Sequence, residues 1–128
     1  MVDMTTTSHP IAQTPEELTR LFVERANAGD LDGLVALYAP DAVLAFPPGS
    51  ASVGHDAIRA VLAQMLDHVS ATGERFEQEE LLPTLRHGDV ALTATKPRDG
   101  TGGRAQVVAR QADGSWLRII DRPEAAGA

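Results

Sequence analysis

Apolar positions recur along the chain with two different periods, and the change from one to the other divides it. Leu18, Leu21, Phe22 and Ala26 fall on one helical face. Thr14-Pro15-Glu16-Glu17 precedes them as a helix opening, with threonine as N-cap, proline in the first turn and Glu17 closing a capping box. This predicts a helix from Pro15 to Ala28. Gly29 can take the left-handed conformation that ends it, and Asp30 can cap the next helix with its carboxylate. Leu31, Leu34, Val35 and Tyr38 then share a face, predicting a short helix over Leu31–Tyr38 that Pro40 stops. Asp41 offers turn chemistry before the apolar run Ala42–Phe46, expected as a strand. PPGSASVG reads as a loop. A third helix is expected over Asp56–Ser70, where Ile58, Val61, Leu62, Met65, Leu66 and Val69 keep i, i+3, i+4 spacing. Gly73 is placed to end it.

After Gly73 the pattern turns to strands. Arg75–Leu82 alternates weakly before Pro83. His87-Gly88-Asp89 is a turn signal, and Val90–Lys96 reads as a strand. Pro97–Gly103 is a flexible loop by composition. Arg104–Gln111 and Trp116–Asp121 read as strands joined around Asp113-Gly114, a hairpin signal. Helices first and strands afterwards imply an α+β domain whose last three or four strands form an antiparallel meander, with the helices covering one sheet face. Residues 14–123 read as one domain, flanked by a loose arm over residues 1–13 and a frayed tail over 124–128.

Composition narrows the function classes. The chain has 128 residues, 43% of them hydrophobic, and a net charge of −7 with its acidic residues dispersed. Neither nucleic acid nor an anionic membrane rewards that balance, so neither is expected as a partner. No apolar run approaches the ~18 residues of a membrane span. MVDMTTTSHP lacks the basic and apolar regions of a signal peptide, so a cytoplasmic location is expected. The absence of cysteine removes disulfides, thiol nucleophiles and thiolate metal sites together. His9, His55, His68 and His87 form no ligand-spaced pair, so no metal site and no cofactor is expected.

NAGDLDGLVALYAPDAV, followed by PPGSASVGHDAIRAVL, closely resembles the N-terminal half of ketosteroid isomerase-like proteins of the NTF2-like, or SnoaL-like, superfamily. VVARQADGSWLRIIDRP is similar to the closing hairpin of an uncharacterised branch, which includes proteins similar to those found beside polyketide and enediyne biosynthesis genes. The resemblance covers roughly Glu16 to Pro123. It implies a cone-shaped α+β barrel: a curved mixed sheet wrapped around a long N-terminal helix, with a deep apolar pocket and a homodimeric assembly. It specifies fold well and function poorly, because the superfamily holds isomerases, dehydratases, cyclases, epoxide hydrolases and many non-enzymes.

The same resemblance locates three catalytic positions, and all three have lost their chemistry. The isomerase needs a carboxylate base, a tyrosine and a protonated aspartic acid, a worked case of pKa tuning. The base position, before the Pro-x-Gly-Ser loop, is Phe46 here. The tyrosine position on the first helix is Phe22. The second acid falls in Arg104–Val108, which holds no carboxylate. Phe22 and Phe46 therefore argue for a more apolar pocket, or simply for core.

Other residues carry the remaining chemistry. Asp121, ending the last strand, could face the pocket as a base or pair with Arg118 or Arg122; alternatively it is a surface ion pair. His55 could serve as an acid/base near the pocket mouth, or it or Asp56 could cap the third helix. Trp116, the sole tryptophan, could floor the pocket or sit in the core or an interface. Tyr38 and Met65 could line it. Arg104 and Arg110 share one strand face by parity, as do Gln106 and Val108. Apolar residues on both parities of the later strands, Val90, Leu92 and Ala94 against Ala91, and Val107 and Ala109 against Val108, imply a sheet with two covered faces and a homodimer through one of them. The function that follows is binding of a hydrophobic small molecule, accessory to natural-product metabolism. The alternative is an isomerase, cyclase or dehydratase using Asp121 or His55.

Overall fold

The structure, a computed structural model, describes residues 10–96 and 103–123. The loop expected over Pro97–Gly103 lies almost wholly outside them, as do the first nine residues and the tail.

Helix α1 spans Pro15–Asn27. Thr14 Oγ1 accepts from the Glu17 amide at 3.3 Å, while the Glu17 carboxylate reaches back to the Gln13 amide at 2.7 Å. Helix α2 spans only Leu31–Val35, capped by Asp30 through the Gly33 amide at 2.9 Å. Position 33 must be glycine for this cap, because a Cβ there would stand 2.2 Å from the Asp30 carboxylate. The helix ends short of Tyr38, which instead opens strand β1, Tyr38–Leu44, with Pro40 inside the strand. Strand pairing with the far end of the chain overrides the local helical spacing of Leu34, Val35 and Tyr38. A two-residue strand β2, Ser52–Val53, leads into α3, His55–Thr72, which Gly73 ends in the left-handed region at φ +76°. At 18 residues α3 is longer than α1, which has 13.

The expected strand over Arg75–Leu82 does not form. Its ladder contact among the described residues is a single bridge, Leu81 to Thr95. Phe76 is held instead by the Asn27 side chain, which donates to the Phe76 carbonyl and accepts from its amide, both at 2.9 Å. Strand β3, Leu85–His87, then turns through Gly88 into β4, Val90–Ala94. Strands β5, Ala105–Arg110, and β6, Trp116–Arg122, complete the expected antiparallel meander.

Among the described residues six strands run β2-β1-β6-β5-β4-β3, with β1 and β6 parallel and every other pair antiparallel. The sheet is mixed, as expected, but among the described residues β2 and β3 are its edge strands and it is not a closed barrel. One face packs under the helices, burying Leu18, Leu21, Leu34, Ile58, Leu62 and Val108. Residues 10–13, expected in a loose arm, are held down. Ala12 is buried, its carbonyl accepts from the Trp116 amide at 2.9 Å, and buried Arg25 donates to the Pro10 carbonyl.

Across the opposite face runs one uninterrupted cross-strand row: Leu85, Leu92, Val107, Ile120, Val43 and Val53. Every member is exposed or half-buried, reaching 64% exposure at Leu85 and 61% at Val53. No helix among the described residues is long and apolar enough to cross a membrane.

Candidate functional site

Between α1, α3 and the inner face of the sheet lies a cavity of about 410 Å³. Phe22 from α1, Leu44 and Phe46 from the end of β1, and Val61, Leu62 and Met65 from α3 make its apolar wall. Phe76 joins them, packed edge-on against Phe22 with centroids 6.4 Å apart. Phe46 is 39% exposed, and Arg104, Glu79 and His68 also line the cavity. Arg104 stands 3.7 Å from Glu79.

The floor is polar and buried. Tyr38 donates its hydroxyl to Asp121 Oδ2 at 2.6 Å. Gln106 Nε2 donates to Asp121 Oδ1 at 3.2 Å, and Thr93 Oγ1 donates to Gln106 Oε1 at 3.0 Å. Arg118 Nη1 lies 3.4 Å from Asp121 Oδ2 and 3.3 Å from the Tyr38 oxygen. Its guanidinium also stacks 4.8 Å from the centre of the Phe22 ring. Arg118 and Asp121 are only 4% and 5% exposed. The surface ion pair that sequence allowed for Asp121 is thus a buried one.

A backbone irregularity builds this floor. Arg118 and Asp121 are three residues apart on one strand, so simple alternation would send them to opposite faces. The β5–β6 register slips between Val107, which faces Ile120, and Val108, which faces Arg118. The extra residue, Ile119, resets the alternation, and both charged side chains point inward.

Electrostatics follow from the burial. Tyr38 is held above the ordinary tyrosine range, first by burial and then by the adjacent Asp121 charge, so its phenol stays protonated. Burial alone would pull the Arg118 guanidinium down; the Asp121 carboxylate and the Tyr38 oxygen outweigh it and hold it up. The Arg118 guanidinium therefore keeps its charge in this buried position. Arg118 Nε is the buried side-chain nitrogen left without a partner among the described residues.

Of the residues singled out from sequence, Phe22, Tyr38, Phe46, Met65 and Asp121 meet in this cavity. Trp116 does not. It is buried at another place, beside a void of about 60 Å³ under residues 10–12, with Arg86 4.9 Å above its ring. His55 is also absent from the cavity lining, because its Nε2 lies 2.7 Å from the Tyr38 carbonyl and is engaged there. Arg104 lines the cavity, whereas Arg110 pairs with Asp89 outside it. Among the residues that sequence reading passed over as site groups are Gln106, Thr93, Phe76 and Arg118, the last named there only as an ion-pair partner. Among the described residues no group of histidine and acidic side chains is arranged to hold a metal ion.

Residues 19–119 match the SnoaL-like domain. The fold is shared with solved structures at low identity. An NTF2-like protein with a cystatin-like fold from Novosphingobium aromaticivorans superposes with a TM-score of 0.67 at 20% identity, over 88% of this chain and 80% of that one. A ketosteroid isomerase-like protein from Erwinia carotovora atroseptica gives 0.62 at 21%, over 86% and 92%. A Thiobacillus denitrificans protein, named for the calcium/calmodulin-dependent protein kinase type II association domain, gives 0.68 at 22%, over 90% and 98%.

Proposed function

The chain belongs to the SnoaL-like domain family of the NTF2-like superfamily, and from that premise we propose that its cavity binds a small, largely apolar molecule bearing one acceptor oxygen. One observation carries this reading: an apolar wall ends on a floor whose outstanding requirement is an acceptor. Asp121 already receives donors on both oxygens, while Arg118 Nε has no partner. That nitrogen lies buried just beneath the lining, where an unmade donor costs about 1–3 kcal/mol, and a ligand oxygen relieves it once the guanidinium turns toward the cavity. The volume of about 410 Å³ lies within the usual range of small-molecule sites. A titration with the neutral dye N-phenyl-1-naphthylamine tests the reading. The dye should brighten with the parent protein and fail to do so with Met65→Trp, which fills the cavity. Equal brightening with both would overturn it.

A second reading, acid/base catalysis by Asp121, is favoured by one feature, a buried carboxylate facing a cavity large enough for a substrate. Phe22 and Phe46, in place of the isomerase's tyrosine and base, weigh against its enolate-stabilising scheme. Deuterium exchange beside the carbonyl of 2-tetralone in D2O distinguishes the readings. Acceleration that Asp121→Asn abolishes supports catalysis, and a background rate supports binding alone.

The same proposal includes a homodimer formed through the outer sheet face. The six-residue apolar row there is uncovered by any described element. Burying such a row on its own copy removes it from water without a new partner. In this reading the chain is a cytoplasmic accessory protein of natural-product metabolism.

A further inference from the structure

Strand β1 is poorly held where it matters most to the cavity. Its parallel ladder to β6 begins with Tyr38 opposite Arg118 and resumes only with Val43 opposite Ile120. Five residues on one strand therefore answer two on the other. Pro40 sits in that gap and has no amide to donate. The Arg118 amide donates to the Leu37 carbonyl at 2.9 Å, so the Tyr38 carbonyl points away from β6, and at 1% exposure it must find another partner inside the protein or remain unsatisfied.

The partner is the start of α3. His55 Nε2 lies 2.7 Å from the Tyr38 oxygen, and the Gly54 amide donates to the Ala42 carbonyl at 2.9 Å. A carbonyl only accepts, so His55 carries its proton on Nε2 and donates it. These two hydrogen bonds hold β1 along its edge away from β6 over residues 38–42, where the β6 ladder lapses, the Gly54 bond continuing the β1–β2 register. The other end of the same tyrosine delivers the 2.6 Å bond to Asp121.

We infer that His55 is a positioning residue of the cavity: its ring fixes the Tyr38 backbone and through it the hydrogen bond that orients Asp121. The inference rests on the reading of the Tyr38–Asp121 floor as the polar end of the binding site. It gives His55 a role different from acid or base, because its donating nitrogen is spent on the main chain and its ring does not line the cavity.

The test is an NMR comparison that needs no ligand. The buried Tyr38 hydroxyl proton, short-bonded to a carboxylate, gives a downfield resonance that Tyr38→Phe identifies by its loss. His55→Gln places an amide nitrogen where Nε2 stood and should keep that resonance within its parent position. His55→Leu removes the donor at similar volume and should shift the resonance upfield or broaden it away. His55→Asn, polar but too short to reach, should behave like leucine and serves if the leucine variant does not fold. A folded leucine or asparagine variant with the parent hydroxyl resonance overturns the inference. Binding of N-phenyl-1-naphthylamine is read separately. Its failure with the parent protein would sink the binding-site reading while leaving the hydroxyl result to decide the role of His55.

Discussion

Tyr38 and Asp121, 83 residues apart in sequence, are joined by a 2.6 Å hydrogen bond in the floor of the cavity. Tyr38 opens the first strand and Asp121 nearly closes the last, and the parallel pairing of β1 with β6 brings them together. With Gln106 on its other oxygen and Arg118 alongside, Asp121 is a carboxylate enclosed by donors.

That enclosure predicts a large cost for removing the charge. Asp121→Asn leaves Arg118 buried and uncompensated, and should lower stability by about 3–5 kcal/mol. Urea unfolding checks this. A change under ~0.5 kcal/mol, as ordinary surface substitutions give, would mean the pair is exposed.

The single tyrosine of the chain makes its titration readable on its own. Burial and the Asp121 charge disfavour the phenolate in the folded state, so Tyr38 resists ionisation above the ordinary range near ~10. The unfolded chain loses that proton first. The contribution of Tyr38 to stability is therefore complete below ~10 and falls as pH rises beyond it. Tyrosinate absorbance should appear only together with unfolding. A reversible rise near ~10 in the folded protein would contradict the burial of the hydroxyl.

The helices and the meander were legible from local pattern: apolar period, capping chemistry and turn glycines, while Phe22 and Phe46 were pointed out by the family resemblance and not by that pattern. What escaped was set by distant pairing. Tyr38 fits a helical face with Leu34 and Val35, yet it joins β6 instead. Gln106 gave only a strand parity, and Arg118 stood out only as a partner for Asp121. Their convergence depends on the extra residue Ile119, which no sequence signal marks. Phe76 sat in a weakly alternating stretch that reads as a strand, because nothing local shows that Asn27 satisfies its backbone. Trp116 was drawn toward the pocket by its chemistry alone, while its ring belongs to the packing beneath residues 10–12.

Phe46 lies at the edge of burial and should tolerate a charge that a core position would not. Phe46→Asp is expected to change stability by less than ~1 kcal/mol, because the carboxylate can stay hydrated at 39% exposure. The same variant should weaken binding of the neutral dye several-fold. A loss of several kcal/mol in thermal or urea unfolding would place Phe46 deep in the wall.

The outer apolar row predicts assembly. Light scattering at low micromolar concentration should report twice 13.6 kDa. Ile120→Glu, in the middle of the row, should halve that mass while leaving the circular dichroism spectrum unchanged. A parent protein already monomeric under these conditions would remove the dimer.

The requirement of the cavity floor for an acceptor is tested most directly by one paired NMR titration. Fluorenone and fluorene share an apolar ring system and differ in one carbonyl oxygen. Added to labelled protein, fluorenone should shift the Arg118 Nε–H and Gln106 Nε2–H₂ signals and bind at least several-fold more tightly than fluorene, with both compounds perturbing Phe22, Leu62 and Met65. If neither compound moves the signals of those wall residues, or if both bind equally with the Arg118 and Gln106 signals unmoved, the cavity is not the acceptor-seeking site described.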